Sequence, residues 1–187
     1  LFPEGRMDIH GGGFDLKLPH DENEIAQSKA HNGNSIATYW LHNGFINFGD
    51  NKMSKSLGNV VLAKDAIAKY GGNLIRLVLL GTYYRSPLTF SYEVMETAAI
   101  EYEKIEKAVQ QMAVTLQLAG IKLKGDEQID ITPFLSFLAD DLNTPNAITE
   151  LFAIIKKANA TLRQKPLDYR TISRTFDEIQ DMLWILG

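Results

Sequence analysis

Two lysines and two serines stand close together in the segment Lys52 to Ser56, which reads KMSKS. Glycines lie on both sides of the segment, at Gly49 and Gly58, so a mobile loop is expected. Ammonium groups on flexible stems suit a polyphosphate whose charge shifts during a reaction, and serine hydroxyls add neutral donors. Lys52 and Lys55 are therefore candidate phosphate-binding residues. The alternative is an ordinary solvated basic turn.

Three consecutive glycines, Gly11 to Gly13, follow the short segment Met7-Asp8-Ile9. This order predicts a strand that runs into a glycine loop. Without a Cβ the backbone can approach a ligand closely, and Asp15 just beyond could accept hydrogen bonds from ribose hydroxyls. The spacing is not GxGxxG, so the dinucleotide fingerprint does not apply. A turn without a ligand is the alternative interpretation.

An imidazole and a carboxylate stand four residues apart in PHDENE, residues 19–24. Residues 19–31 contain no glycine and begin with acidic residues, as a helix often does. His20 and Glu24 would then share one helical face and could bind Zn²⁺. Asp21 and Glu22 would point elsewhere and are expected to be solvated. The alternative is a helix-start pair without a metal.

The other aromatic and imidazole side chains predict packing rather than chemistry. Trp40 and Trp184 stand among apolar neighbours and are expected in the core, and His31 and His42 are expected to be surface or packing residues. The segment Tyr83-Tyr84-Arg85 could stack on a base or pack at a domain seam, and the seam is favoured. No Ser/His/Asp or Cys/His set is arranged for covalent catalysis.

The elements that must position these residues lie in two regions that differ in composition and in hydrophobic pattern. Residues 1–90 are rich in glycine and aromatic residues, and GFINF at 44–48 predicts a strand or hairpin arm, so an α/β pattern is expected. Residues 91–187 predict helices around one core in an antiparallel α-helical bundle. Thr144-Pro145 predicts a helix start, with Thr144 as the N-cap and Pro145 at the first helical position, and residues 120–130 predict an exposed loop. The helical evidence is three stripes with apolar spacings of three and four: Tyr102, Ile105, Val109, Met112 and Leu116; Ile148, Leu151, Phe152 and Ile155; and Ile172, Phe176, Ile179, Leu183 and Leu186.

The composition indicates a soluble globular protein, since 45% of the 187 residues are hydrophobic and 22% are charged. Cysteine is absent, which excludes disulfides and leaves His, Asp and Glu as the metal ligands of this chain. The formal net charge of −4 does not by itself indicate a nucleic-acid partner. The sequence contains neither an apolar run of about 20 residues nor a basic-then-apolar leader, so a cytoplasmic location and no membrane association are expected.

Five stretches together resemble the class I aminoacyl-tRNA synthetases, and within them the cysteinyl-tRNA synthetases. KMSKS alone indicates class I, whereas IHGGG combined with the His…Glu helix is typical of the cysteine family. The stretches follow the family's order across nearly the whole chain: DIHGGGFDL at 8–16, PHDENEIAQS at 19–28, KMSKSLGN at 52–59, YRSP at 84–87 and DDLNTP at 140–145.

The resemblance implies three domains. Residues 1–45 would be the second half of a Rossmann-type catalytic domain, and residues 46–90 a stem-contact segment that carries the KMSKS loop. Residues 91–187 would be an α-helical domain of the tRNA-binding type. The expected fold class is therefore α/β followed by α.

The resemblance also implies an activity, which is the ATP-dependent ligation of cysteine to tRNA(Cys) through a cysteinyl-adenylate. ATP, L-cysteine and tRNA(Cys) would be the partners of a monomeric enzyme. Mg²⁺ would accompany ATP, and the full-length enzyme would hold one Zn²⁺. Lys55 would bind the ATP phosphates and stabilise the departing pyrophosphate, with Lys52 assisting.

The remaining site residues are carried over by position. His10 and the triplet Gly11 to Gly13 would line the ATP and amino-acid site. Asp15 would contact the ribose. His20 and Glu24 would be two of four zinc ligands, and the zinc would bind the thiolate of substrate cysteine, which serine cannot imitate.

The chain departs from the family at several points. The family has two adjacent histidines where this chain has His20-Asp21. Two cysteine zinc ligands and the His-x-Gly-His ATP signature lie upstream in the family and are missing here. The chain also begins at Leu1 rather than at methionine. It is therefore expected to be a piece of a longer enzyme, inactive and weak in zinc binding by itself.

Two other functions remain open at this stage. The first is a cysteine–amino-sugar ligase of actinobacterial thiol synthesis, which shares the zinc helix and the lysine loop but needs no tRNA-directed helical domain. His10 and the DDLNTP segment favour the synthetase. The second is a non-catalytic RNA-binding fragment, which the missing upstream signature would suit.

Overall fold

The computed structural model describes residues 6–48, 51–52, 62–121 and 129–187 of the chain. The chain divides into two compact units. The first consists of Leu1–Leu62 with Tyr84–Ser91, and the second of Ala63–Tyr83 with Tyr92–Gly187. Most of the predicted lysine loop, including Lys55, lies outside the described residues.

A pair of parallel strands forms the first sheet of the first unit. Strand β1 (Met7–Gly13) pairs with β2 (Ala37–Asn43), with Met7 opposite Ala37 and Gly13 opposite Asn43. Parallel neighbours need a crossover connection, which helix α1 (Glu22–Asn32) provides. Helix α1 ends at Gly33, whose left-handed φ of 75° suits a glycine C-cap.

The glycine triplet belongs to β1 itself, so the predicted loop after the strand is wrong. Gly11, Gly12 and Gly13 lie opposite Leu41, His42 and Asn43 in the parallel ladder. The turn comes later, as a 3₁₀ turn at Phe14–Leu16 and a π-helical turn at Lys17–Asp21. Residue Leu18 has extended backbone angles (φ −141°, ψ 127°), and so regular helix α1 begins at Glu22 rather than at Pro19.

The first unit also contains a three-stranded sheet, and the predicted hairpin arm forms its central strand. Strand β3 (Ile46–Phe48) pairs antiparallel with β4 (Asn51–Lys52) and parallel with β5 (Leu88–Phe90). The hairpin arm predicted from GFINF is therefore confirmed. Hydrogen bonds of 2.7 Å from Gly44 N to Tyr84 O and of 2.8 Å from Leu88 N to Phe45 O join the start of β5 and the segment before it to the segment before β3.

The described part of the second unit consists of helices. In chain order they are α2 (Ala63–Tyr70), α3 (Gly72–Leu80), α4 (Tyr92–Leu118), α5 (Thr132–Ala139), α6 (Thr144–Arg163) and α7 (Tyr169–Leu186). The three predicted apolar stripes supply the core between α4, α5, α6 and α7. Its most deeply buried large side chains are Met112, Leu116, Phe134, Leu151 and Ile179. None of the helices in the described ranges is long and apolar enough to cross a membrane.

Two details of the helical unit differ from the sequence prediction. Helix α6 is capped by Asn143, whose side chain accepts a 3.3 Å hydrogen bond from Asn146 N, and Thr144 is already inside the helix. Trp184 is 83% exposed instead of buried in the core, because α7 turns its apolar stripe inward and leaves Trp184 outside that stripe.

The DDLNTP segment forms the turn between α5 and α6. Asp141 and Leu142 both have left-handed backbone angles, with φ of 52° and 55°, a conformation that non-glycine residues seldom adopt. The Tyr83 hydroxyl donates a hydrogen bond to Asp141 Oδ2. Tyr83 therefore joins the end of α3 to this turn within the helical unit.

Candidate active site

Six polar or aromatic side chains meet in the first unit, beside the C-terminal halves of β1 and β2. The two strands and the turn that leads into α1 bring them together. They are His10 from β1, Trp40 and His42 from β2, and His20, Asp21 and Glu24 from the turn and α1. Ligands of parallel α/β sheets bind at this edge of the strands.

The carboxylate of Glu24 lies between two imidazoles. Its Oε2 is 2.8 Å from His10 Nε2, and its Oε1 is 3.5 Å from His20 Nε2. The short contact with His10 lacks the alignment of a hydrogen bond, so Oε2 is buried without a hydrogen-bond partner among the described residues. A buried carboxylate oxygen in this state indicates an ion or water that completes its surroundings.

His20 and Glu24 project together, as the sequence predicts, although His20 precedes the regular helix. The π-helical turn continues into α1 closely enough to keep the two side chains adjacent, and His20 stays 57% exposed. One ligand atom from each of His20, Asp21 and Glu24 lies within 4.8 Å of the other two. An imidazole nitrogen and carboxylate oxygens are ligands that zinc accepts, so this group fits a divalent cation.

Asp21 is buried, and its predicted solvation is wrong. Only 3% of its surface is exposed, and its Oδ2 lies 2.7 Å from His42 Nε2. A carboxylate only accepts hydrogen bonds, so Nε2 of His42 donates. The second oxygen, Oδ1, has no hydrogen-bond partner in the ranges that the structure describes.

Three aromatic rings are stacked along this edge. The ring centroids of His10 and Trp40 are 4.4 Å apart, and the two ring planes are 20° from parallel. The ring centroids of Trp40 and His42 are 6.4 Å apart, and their planes are 10° from parallel. Trp40 is therefore a half-buried site residue rather than part of the core, and His42 is more than a packing residue. Their spacing of two on a strand puts both on one face, which was the sequence signal for this pair.

The last glycine of the triplet lies close to Asp15. A Cβ on Gly13 would lie 2.5 Å from Asp15 Oδ1, and because this oxygen is the far end of an exposed, flexible side chain, a side chain at position 13 would displace the carboxylate from the strand end. His10, Gly11 to Gly13 and Asp15 thus form one continuous segment at the candidate site.

The two candidate lysines are described only in part. The backbone of Lys52 lies in β4, opposite Asn47 of β3. Lys55 and the side chain of Lys52 lie outside the described residues, so their predicted contact with phosphates stays a prediction.

The parallel strands, crossover helix, hairpin and helical unit together define a class of fold. A leucyl-tRNA synthetase from Agrobacterium radiobacter K84, solved as a ternary complex with tRNA and LeuAMS, matches with a TM-score of 0.68 over 94% of this chain and 25% of its own, at 15% identity. The methionyl-tRNA synthetase of Mycobacterium tuberculosis bound by methionyl-adenylate matches with a TM-score of 0.67 over 96% of this chain and 41% of its own, at 15% identity. The fold is that of the class I synthetases.

Two matches to sequence families identify the family within this fold class. The family described as tRNA synthetases class I (C) catalytic domain matches residues 3–100, and the DALR domain family matches residues 133–187. The chain belongs to the class I (C) tRNA synthetase family, which confirms the resemblance found in the sequence.

Individual relatives agree with this family. The cysteine–tRNA ligase of Brevibacillus brevis is 41% identical over 189 residues, which cover 97% of this chain and 40% of that protein. That of Aquifex aeolicus is 41% identical over 161 residues, which cover 82% of this chain and 32% of that protein. The chain thus spans about 40% of the length of relatives such as the first.

Proposed function

We propose that this chain is part of an enzyme that ligates cysteine to tRNA(Cys) with ATP, through a cysteinyl-adenylate. The observation that carries the proposal is the position of Glu24, between His10 and His20 at the glycine-bearing end of β1. The cysteine–tRNA ligases that share about 40% of its residues support the same activity.

His20 and Glu24 would hold a zinc ion in this enzyme. The buried Glu24 Oε2, which has no hydrogen-bond partner among the described residues, supports this assignment. When bound, zinc supplies a soft acceptor for the cysteine thiolate, a far better ligand than the serine hydroxyl. Cysteines that this chain does not contain would complete the tetrahedral site.

The end of β1 would bind the nucleotide. Gly11 to Gly13 present backbone without a Cβ, which allows a nucleoside to approach the strand closely. The exposed Asp15 carboxylate would accept hydrogen bonds from the ribose hydroxyls. His10 would line the junction between adenosine and the amino acid, because its ring lies between Trp40 and the Glu24 carboxylate.

Lys55, assisted by Lys52, would neutralise the ATP phosphates together with Mg²⁺ and stabilise the departing pyrophosphate. Phosphoryl-centred chemistry depends mainly on positioning and charge neutralisation. The pairing of β4 with β3 supports this role, because it fixes the backbone at the start of the KMSKS segment.

The domain roles follow the family. Residues 1–45 would be the second half of a Rossmann-type catalytic domain, 46–90 the stem-contact segment and 91–187 an antiparallel helical bundle of the tRNA-binding type. The match of residues 133–187 to the DALR family supports the last assignment. The enzyme would act as a monomer in the cytoplasm.

Cysteine-dependent exchange of pyrophosphate into ATP by the complete protein tests the lysine role. Lys55→Ala is expected to lower the rate of adenylate formation at least about 100-fold, since one donor aimed at developing charge contributes a factor of this size. Cysteine binding should change much less. Lys64→Ala, an exposed lysine at the start of α2, is the control, and an unchanged rate in Lys55→Ala would refute the assignment.

Zinc content tests the metal role separately. Glu24→Ala is expected to lower the zinc-to-protein ratio of the complete protein well below that of the wild type, because it removes one of four ligands. Glu22→Ala, an exposed acidic residue on the same helix, should retain the metal. Full zinc retention by Glu24→Ala would rule out its role as a ligand.

Acceptor choice separates the synthetase from the other candidates. The adenylate of a synthetase is transferred to tRNA, that of the amino-sugar ligase to an amino sugar, and a non-catalytic RNA-binding fragment would form none. The comparisons support neither of the two alternatives, since the matched relatives are cysteine–tRNA ligases.

A further inference from the structure

Asp21 stands where the family usually has a second histidine, and its surroundings differ from those of an exposed helix-start carboxylate. The side chain is 3% exposed, and its Oδ2 accepts a 2.7 Å hydrogen bond from His42 Nε2. The two residues are 21 positions apart in sequence, so this bond joins the start of α1 to the end of β2. A buried, charge-assisted bond of this kind fixes the orientation of both partners.

The fixed imidazole forms one end of the ring stack. His42 is stacked beside Trp40, which is stacked on His10. One helical segment supplies a carboxylate at each end of the stack, Asp21 at His42 and Glu24 at His10. The stack is therefore held by a hydrogen bond at His42, while its other end, His10, lies next to the Glu24 carboxylate.

The stack lies beside the proposed nucleotide-binding strand. His42 is opposite Gly12, and Trp40 is opposite His10, in the ladder between β2 and β1. A change in the orientation of the His42 ring would therefore disturb the strand segment that we propose to face the adenosine. The lysines, which we propose to act on the phosphates, belong to a different part of the chain.

We propose that Asp21 is a positioning residue for ATP: it holds His42, and through His42 the ring stack, in the orientation that binds the nucleoside. This inference rests on the proposed function. The stack would contact the nucleoside equally in the ground state and in the transition state, so its loosening should raise the KM for ATP and leave kcat nearly unchanged.

Asp21 as a third metal ligand is the competing role, since Asp21 also belongs to the group with His20 and Glu24. Its Oδ2 is engaged by His42, which supports positioning, whereas its buried Oδ1 has no hydrogen-bond partner among the described residues and is still available to a cation. Metal content separates the two roles, because a ligand substitution lowers zinc occupancy and a positioning substitution does not.

The kinetic test uses Asp21→Ala in the complete protein, assayed by cysteine-dependent ATP–pyrophosphate exchange. We expect the KM for ATP to rise roughly tenfold, the loss that follows from one charge-assisted hydrogen bond, while kcat changes less than about twofold. Asp21→Asn keeps an acceptor oxygen and should show a smaller rise, which preserves the test if the alanine variant folds poorly. Glu22→Ala is the control.

A double-mutant cycle then asks whether Asp21 acts through His42. In a His42→Ala background, Asp21→Ala should change the KM for ATP by less than about twofold, because the coupled partner is already gone. A full tenfold effect in that background would overturn the proposal. So would a fall in kcat at unchanged KM, or a loss of zinc from Asp21→Ala.

Tryptophan fluorescence tests the same contact without reference to activity. The chain has two tryptophans, and the emission of Trp40 in the complete protein is obtained as the difference between each variant and the same variant carrying Trp40→Phe. Trp40 emission should rise in Asp21→Ala, as the quenching imidazole moves away, and stay constant in Glu22→Ala. Unchanged emission in Asp21→Ala would overturn the proposal. A complete protein without cysteine-dependent exchange would refute the proposed function instead, and the emission would still report whether Asp21 holds the stack.

Discussion

A single methyl group added at Gly44 should open the second sheet of the first unit. Gly44 lies just before β3, under the backbone of the YRSP segment that leads into β5. A Cβ built on Gly44 would collide with the carbonyl group of Ser86 and lie 2.8 Å from Pro87 N. All of these atoms belong to the main chain, so no side-chain rotation can relieve the clash.

The size of the effect follows from the surrounding bonds. Overpacking costs about 1–3 kcal/mol, and the hydrogen bonds from Gly44 N to Tyr84 O and from Leu88 N to Phe45 O are adjacent to the clash. Weakening one of them adds roughly 1 kcal/mol. Gly44→Ala should therefore destabilise the pairing of β3 with β5 by about 2–4 kcal/mol.

Amide hydrogen exchange measures this local opening directly. Protection of the Leu88 amide, which bonds to Phe45 O, should fall about 30- to 700-fold in Gly44→Ala if the amide exchanges by local opening. Gly72→Ala is the matched control, since nothing lies within 4 Å of a Cβ at that position and the change should stabilise the start of α3 by about 0.4–1 kcal/mol. Leu88 protection in Gly44→Ala within about twofold of wild type would refute the reasoning.

The helical unit supports three further predictions. Phe134→Ala empties a fully buried core position and should lower the free energy of unfolding by about 3–5 kcal/mol in urea titrations. Leu135→Ala, at a half-exposed position, should lower it far less, and equal losses would contradict the core assignment. Asn143→Ala removes the α6 N-cap and should cost about 1 kcal/mol by the same method, with Asn143→Asp close to wild type. The hydrogen bond from the Thr171 hydroxyl lowers the pKa of Asp168. The stability that this bond contributes is therefore present above the ordinary pKa of the carboxyl group and is lost as the pH falls through the lower pKa of the folded state. Thr171→Val should weaken this loss of stability in acid, as measured by urea titrations at a series of pH values.

Local patterns in the sequence were sufficient for α4, α6 and α7, whereas α2 and α3 were not predicted from them. The stripe through Ile105, Met112 and Leu116 is buried along α4, as its spacing predicts, because helical periodicity alone decides which side chains share a face. The same argument placed His20 beside Glu24, and alternation with turn residues placed the hairpin arm at β3. These features depend on neighbours within a few residues.

Features that depend on distant partners were missed. The glycine triplet was expected in a loop, but β2 pairs with it and keeps it in the strand. Trp184 was missed for a different, local reason: its apolar neighbours suggested the core, although helical spacing already places it outside the α7 stripe. Asp21 was expected in water, because a polar residue at a helix start is usually solvated unless a partner from elsewhere in the chain covers it.

The sequence by itself determined which chemical groups are candidates for the site: paired lysines, three consecutive glycines and a histidine four residues before a glutamate. Only the tertiary structure decided how these groups are combined. The parallel pairing of β1 with β2 brings His10 to Glu24 and His42 to Asp21. Those contacts join residues 14 and 21 positions apart, a separation at which residue spacing no longer specifies geometry and chain folding does.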